Sequence, residues 1–157
     1  MLVLGVDPGS FVTGYGVVEK KDNRMACVDA GVIRSQGNVP FYERIHKIFQ
    51  SMVEIMDRYQ PQEMSIEDVF FAKNIKSSLK LGHARGAALI AAVNCGVKVF
   101  EYTPLEIKKS VVGYGRASKE QIRSMVQIIL KHPTKFGPDT SDALAAAICH
   151  LNWKRYE

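Results

Sequence analysis

The sequence predicts an α/β protein, a mixed five-stranded sheet flanked by helices, in one domain spanning residues 1–157. Three observations point there. The first third reads as short apolar runs separated by turn residues, the pattern of strands. From Pro40 to Tyr59 apolar residues recur every three or four positions, the pattern of an amphipathic helix. Beyond Tyr59 strand-like and helix-like segments alternate, which places parallel β-α-β steps in the second half.

The elements follow in order. Leu2–Val6 is a strand stopped by Asp7-Pro8-Gly9. Gly14–Lys20 and Met25–Arg34 are two more, joined at Asp22-Asn23 into an antiparallel meander. Phe41, Ile45, Ile48, Met52, Ile55 and Tyr59 form the stripe of the first helix. Met64–Glu67 is a short strand, Asn74–Asn94 a long helix and Val97–Tyr102 the fifth strand. Thr103-Pro104-Leu105-Glu106 and Ser118-Lys119-Glu120-Gln121 both fit capping boxes that open helices. The last helix runs from Pro138-Asp139 to about Asn152, with Asp139 as its N-cap.

Composition narrows the class. At 157 residues, 46% hydrophobic and 24% charged, the chain is ordinary globular material. No apolar run approaches the ~18–20 residues of a membrane span, and the N-terminus lacks the basic region of a secretory leader. Cys27, Cys95 and Cys149 are odd in number and far apart, which reads as reduced thiols in a cytoplasmic protein. The formal charge of +5 leans toward an anionic partner such as nucleic acid. Gly9–Tyr15 lacks the Lys-Ser/Thr of a phosphate loop, and the four histidines show no zinc spacing.

Four carboxylates carry the chemistry. Asp7 ends the first strand, where α/β folds place ligands, although an aspartate before Pro-Gly also suits a plain turn. Glu67 ends the fourth strand in the same way. If these strands lie parallel and adjacent, the two acids come within a few ångströms and need a proton or a cation between them. Asp68 points to the opposite face of that strand. Asp139 and Asp142, three apart, share one face of the last helix. Acids there also complement the helix dipole, but the small residues Ala143, Ala145, Ala146 and Ala147 after Asp142 indicate close packing on the sheet. Together the four make an all-oxygen set suited to Mg²⁺ or Mn²⁺, and two such ions can clamp the attacking and leaving oxygens of a phosphodiester.

Two basic groups accompany them. Lys73, Lys76, Lys80 and His83 lie on one side of the helix from Asn74, where a solvated stripe is the ordinary reading. Its other side carries Ile75, Leu79, Gly82, Gly86, Leu89, Ile90 and Val93, a face expected to pack tightly on the sheet or on a partner subunit. Lys108, Lys109, Arg116, Lys119 and Arg123 surround Gly113-Tyr114-Gly115. Either group can neutralise phosphates. Phe70 and Phe71 follow the fourth strand; core packing is the default, and exposed they can stack on an unpaired base.

In combination these residues resemble the RuvC family of Holliday-junction resolvases. The likeness runs through Asp7-Pro8-Gly9-Ser10, Thr13-Gly14-Tyr15-Gly16, Ile66-Glu67, Val69-Phe70 and Ala72-Lys73-Asn74. It continues through Leu79-Lys80-Leu81-Gly82, Ala84-Arg85-Gly86, Val111-Val112-Gly113 with Gly115, and Asp139 with Asp142-Ala143-Leu144-Ala145. The resemblance implies a ribonuclease H-like fold, a homodimer, and Mg²⁺-dependent symmetric nicking of four-way DNA through metal-activated water, leaving 5′-phosphate and 3′-hydroxyl ends. It implies Asp7, Glu67, Asp139 and Asp142 as catalytic acids and metal ligands, two Mg²⁺ (or Mn²⁺) ions per site, and a branch-migration motor as partner. It points to Phe70 at the crossover, with Phe71 able to share that task. Lys108 and Lys119 match basic positions tied to junction processing, and Lys73, Lys76, Lys80 and Arg85 join them as DNA-binding candidates. Asp68 and Pro138 depart from the usual family pattern. The competing readings are a related nuclease on RNA or RNA–DNA hybrids and a non-catalytic nucleic-acid-binding module; pure binding gains nothing from four acids facing phosphates.

Overall fold

A computed structural model describes residues 1–68 and 73–153. Three antiparallel strands come first: β1 (Leu2–Asp7), β2 (Val12–Lys21) and β3 (Arg24–Arg34). The β2–β3 hairpin turns at Asp22 and Asn23, both with positive φ (48° and 64°), the backbone that a two-residue turn needs to match strand twist. Helix α1 (Phe41–Tyr59) leads to β4 (Glu63–Glu67), and α2 (Ile75–Asn94) leads to β5 (Lys98–Tyr102). Helices α3 (Pro104–Val112), α4 (Lys119–Leu130) and α5 (Pro138–Trp153) complete the described chain. The strand order is β3-β2-β1-β4-β5, with β1, β4 and β5 parallel, so the mixed five-stranded sheet expected from sequence is present.

Each face of the sheet has its own core. On one, Leu4, Val6, Val17, Met64 and Ile66 pack with Ile48, Met52 and Met56 of α1 and the alanines of α2. On the other, Val3 and Val18 meet α3, α4 and α5. Alternation along β1 therefore sends Val3, Gly5 and Asp7 toward α5, and Leu4 and Val6 toward α1 and α2. Nearly all of α5 is buried, because it is sandwiched between the sheet and α3 and α4.

Two expectations need correction. Of the two contacts left open for the larger stripe of α2, the sheet is not its main one: Ala84, Ala87, Ala88, Ala91 and Ala92 meet the sheet-side core, with Leu89 alone of the larger apolar stripe residues packed against it. Small side chains allow the close approach, while Ile75 (81% exposed), Leu79, Ile90 and Val93 (69%) face outward, and a Cβ at Gly82 or Gly86 would meet nothing within 4 Å. Asp139 is not the N-cap of α5: the helix begins at Pro138, and the Ser141 N–H donates to the Gly137 carbonyl at 2.9 Å. Proline suits that first position because its missing N–H would be unpaired there in any case.

Candidate active site

The site is assembled by strand register. Val6 pairs with Ile66 in the parallel β1–β4 ladder, so Asp7 and Glu67 are the next residues on neighbouring strands, about 4.8 Å apart along the hydrogen-bonding direction. Both point to the α5 face, as the other odd-numbered residues of β4 show: the Ser65 hydroxyl donates to the Ala146 carbonyl at 2.7 Å, and Glu63 meets His150. Asp68 turns to the other face, as expected, and its carboxylate lies 3.8 Å from Arg85 of α2. The turn after Asp7 is held by Thr13, whose hydroxyl donates to the Gly9 carbonyl (2.8 Å) and accepts from the Gly9 N–H (3.2 Å). Buried Arg44 donates to the Ser10 carbonyl at 3.2 Å and supports that turn from α1.

Helix α5 brings the other two acids because Gly5 and Gly14 leave no side chain between its first turns and the sheet. Gly14 is the register partner of Asp7, and a Cβ on it would lie 2.1 Å from the Asp139 carbonyl oxygen; a Cβ on Gly5 would lie 1.9 Å from that of Ala143. Backbone thus rests on backbone, and Asp139 and Asp142 arrive over the ends of β1 and β4. The capping boxes position the cations. Thr103 and Glu106 cap α3, which carries Lys108; Ser118 and Gln121 cap α4, whose first residue is Lys119. Glu67, Asp142, Lys108 and Lys119 line one cleft of about 220 Å³, floored by Ile107 and Ile122.

The acids feel one another. Burial pushes the Asp7 carboxyl up to about 7, with Asp142, Glu67 and Asp139 adding to the rise and Lys119 opposing it. Burial also raises Glu67, with Asp142 adding and Lys119 and Lys108 opposing. Burial raises Asp142 too, against Lys119 and Arg123. Asp7, Glu67 and Asp142, raised together in partly desolvated surroundings, favour a proton or a cation among them. The donors are all oxygens, which fits Mg²⁺ or Mn²⁺. Among the described residues no three His, Cys, Asp or Glu side chains are gathered tightly enough to enclose an ion alone. Mg²⁺ suits such an open set, since it is held by a few carboxylates together with water and substrate phosphate.

The sequence comparisons fit this geometry. The model of the family described as crossover junction endodeoxyribonuclease RuvC matches residues 3–150. The chain belongs to the RuvC family. The RuvC crossover junction endodeoxyribonuclease of Geobacter metallireducens is 50% identical over 152 residues, covering 97% of this chain and 93% of that protein. That of Citrifermentans bemidjiense is 51% identical with the same coverage. Among solved structures, Thermus thermophilus RuvC in complex with Holliday junction substrate superposes with a TM-score of 0.93 at 34% identity, covering 99% of this chain and 95% of that one. The fold is accordingly the ribonuclease H-like α/β fold of RuvC.

The remaining residues singled out from sequence lie as follows. Lys73, Lys76 and Lys80 are exposed at the start of α2, with the Lys80 ammonium 5.8 Å from the Phe41 ring. Arg85 is committed to Asp68 and Glu101, and its Nε donates to the Glu67 carbonyl at 3.4 Å, so it ties α2 to the strand ends. Phe70 and Phe71 lie outside the described residues. Arg123 is a residue that sequence left within a general basic group; its spacing of four from Lys119 places both on one side of α4, near Asp142.

Proposed function

We propose that this RuvC-family endonuclease resolves four-way DNA (Holliday) junctions in recombination and repair by nicking two strands symmetrically. The observation that carries the reading is a cleft at the strand ends lined by Glu67, Asp142, Lys108 and Lys119, with Asp7 close enough to feel Asp142, Glu67, Asp139 and Lys119. Asp7 and Glu67 from adjacent strands, and Asp139 and Asp142 from one helical turn, would hold the divalent cations, Mg²⁺ or Mn²⁺, two to a site. Bound cations supply the charge that lets a phosphodiester approach four acids, and the acidity that makes water a nucleophile near neutral pH. The chain's own part is to present ionised carboxylates on a rigid sheet edge and to oppose them with Lys108 and Lys119, which neutralise charge on the scissile phosphate. The products are a 5′-phosphate and a 3′-hydroxyl.

Two symmetric cuts call for two copies of the site, and a two-fold dimer supplies them. The exposed stripe of α2, with Ile75, Leu79, Ile90 and Val93 around the open Gly82 and Gly86, is the face we assign to that contact. A branch-migration motor would deliver the junction. No described helix is long and apolar enough to cross a membrane, and with chromosomal DNA as substrate the whole chain would act as one domain in the cytoplasm.

The test is cleavage of a mobile four-way junction beside equimolar duplex and RNA–DNA hybrid, with Mg²⁺. The natural protein should cut the junction at paired sites. Asp7→Asn should bind the junction with little change and lose cutting by 10³-fold or more, on the order expected when a metal-holding charge is lost. Mg²⁺-dependent cutting retained by Asp7→Asn, or preference for the hybrid, would overturn the assignment.

A further inference from the structure

Beside α4, adjoining the carboxylate cleft, lies a groove of about 410 Å³. Glu120, Arg123 and Gln127 of α4, Lys135 and Phe136 of the following segment, and Ser141 of α5 line it. Two polar atoms there have no use within the fold. Ser141 is 1% exposed and its Oγ is buried without a hydrogen-bond partner among the described residues; the Nε of Arg123 is buried in the same condition. A buried donor left without an acceptor destabilises a fold by about 1–3 kcal/mol. Two of them on one groove point to an acceptor that arrives from outside.

The walls are already built. The Gln127 carboxamide donates to the carbonyls of His132 and Thr134, the latter at 2.9 Å, and the His132 and Phe136 rings pack at 4.6 Å. The segment from 131 to 137 is thereby held against α4. Arg123 and Lys135 outweigh Glu120, so the groove selects an anion. A guanidinium beside a hydroxyl matches the oxygens of a phosphate. Ser141 and Asp142 are neighbours on α5, so the groove begins where the cleft ends. Lys119 lines the cleft and Arg123 the groove, one turn of α4 apart on the same side, about 6 Å along its axis. The groove therefore lies within reach of a strand whose scissile phosphate sits at the carboxylates.

We propose that the α4–α5 groove is a second phosphate subsite, which takes a phosphodiester flanking the scissile one on the cut strand, with Arg123 and Ser141 as its donors. The proposal rests on the junction-cutting reading above for the identity of that strand. A role for Arg123 confined to opposing the charge of Asp142 would create no dependence on DNA charge outside the cleft.

A chemical double-mutant cycle separates the two. Junctions with one neutral methylphosphonate at each linkage flanking the cut site are titrated, without divalent metal, against the natural protein, Arg123→Ala and Ser141→Ala. At one linkage the neutral group should weaken binding by the natural protein about tenfold and leave Arg123→Ala unaffected, with Ser141→Ala showing a smaller effect in the same direction. Losses from protein and DNA changes that multiply at every linkage would overturn the subsite. Should Arg123→Ala not fold, Arg123→Lys, which keeps the charge and loses the fork, takes its place in the cycle. Because the cycle reads binding, it is decided whether or not the protein cuts; a natural protein that leaves the unmodified junction intact with Mg²⁺ counts against the hydrolytic reading alone.

Discussion

Asp7 pairs a short side chain at a strand end with a charge its surroundings disfavour. In the folded chain burial and three acidic neighbours bring its carboxyl to about 7, against about 3.9 for an unfolded aspartate. Between those values the folded state holds a proton that the unfolded state releases. The stability this represents is complete below about pH 4 and is lost as pH rises through 7. In metal-free protein, Asp7→Asn should therefore raise stability at pH 8 by on the order of 2–4 kcal/mol and leave it nearly unchanged near pH 4. Calorimetric unfolding at both pH values measures this, and an equal effect at the two would contradict the origin given for the shift. A second consequence concerns Mg²⁺. Cation binding requires the ionised form, so affinity should fall as pH drops below 7, and binding at pH 7 should release about half a proton from Asp7. Titration calorimetry in two buffers of different ionisation enthalpy reads that release. Glu67 and Asp142, also raised, extend the dependence in the same direction.

At the scale of elements, the site depends on how closely α5 lies on β1 and β2. Gly5 and Gly14 make the close approach possible, each leaving an α5 carbonyl where a methyl group would otherwise sit. Gly14→Ala should push the first turn of α5 outward, costing about 1–3 kcal/mol of stability and moving Asp139 away from Asp7. The expected result is a loss of cutting at least tenfold larger than any loss in junction affinity, read from single-turnover cleavage and binding on one preparation. The capping box of α4 acts similarly. Ser118→Ala should cost about 1 kcal/mol through the lost cap and loosen Lys119 at the helix start. Both boxes and the Asp22-Asn23 turn were legible in the sequence, because capping and turn chemistry are local. The sheet-facing side of α2 was not. Its alanines and its larger apolar residues both recur at helical spacing, and only the distance between helix and sheet selects the smaller set. The same limit applies to Asp139, where acidity at a helix start suggested a cap and Pro138 instead took the first helical position.

For the whole molecule, charge and assembly are the relevant quantities. Setting aside the four site acids leaves 21 basic against 12 acidic residues, a charge of +9 spread over the rest of the chain. Junction affinity should accordingly fall steeply with salt, and the phosphate contact proposed for Lys119 predicts that its removal reduces the slope of log affinity against log salt by about 1. The proposed dimer makes a further demand. Leu79→Glu combined with Ile90→Glu places charge on the exposed α2 stripe without touching either core. Light scattering should then report a monomer that remains folded, and paired nicking should give way to uncoordinated single nicks. A double variant that stays dimeric would remove α2 from the contact. The sequence by itself determined the order of strands and helices and the family, and it singled out the four acids as candidates, since each is written in local periodicity, end signals and motif order. Tertiary structure alone decided that Arg85 is engaged with Asp68 and Glu101, that α2 turns its large apolar residues outward, and that Arg123 and Ser141 share a groove. Those outcomes depend on distances between segments far apart in the chain, and no local pattern encodes such distances.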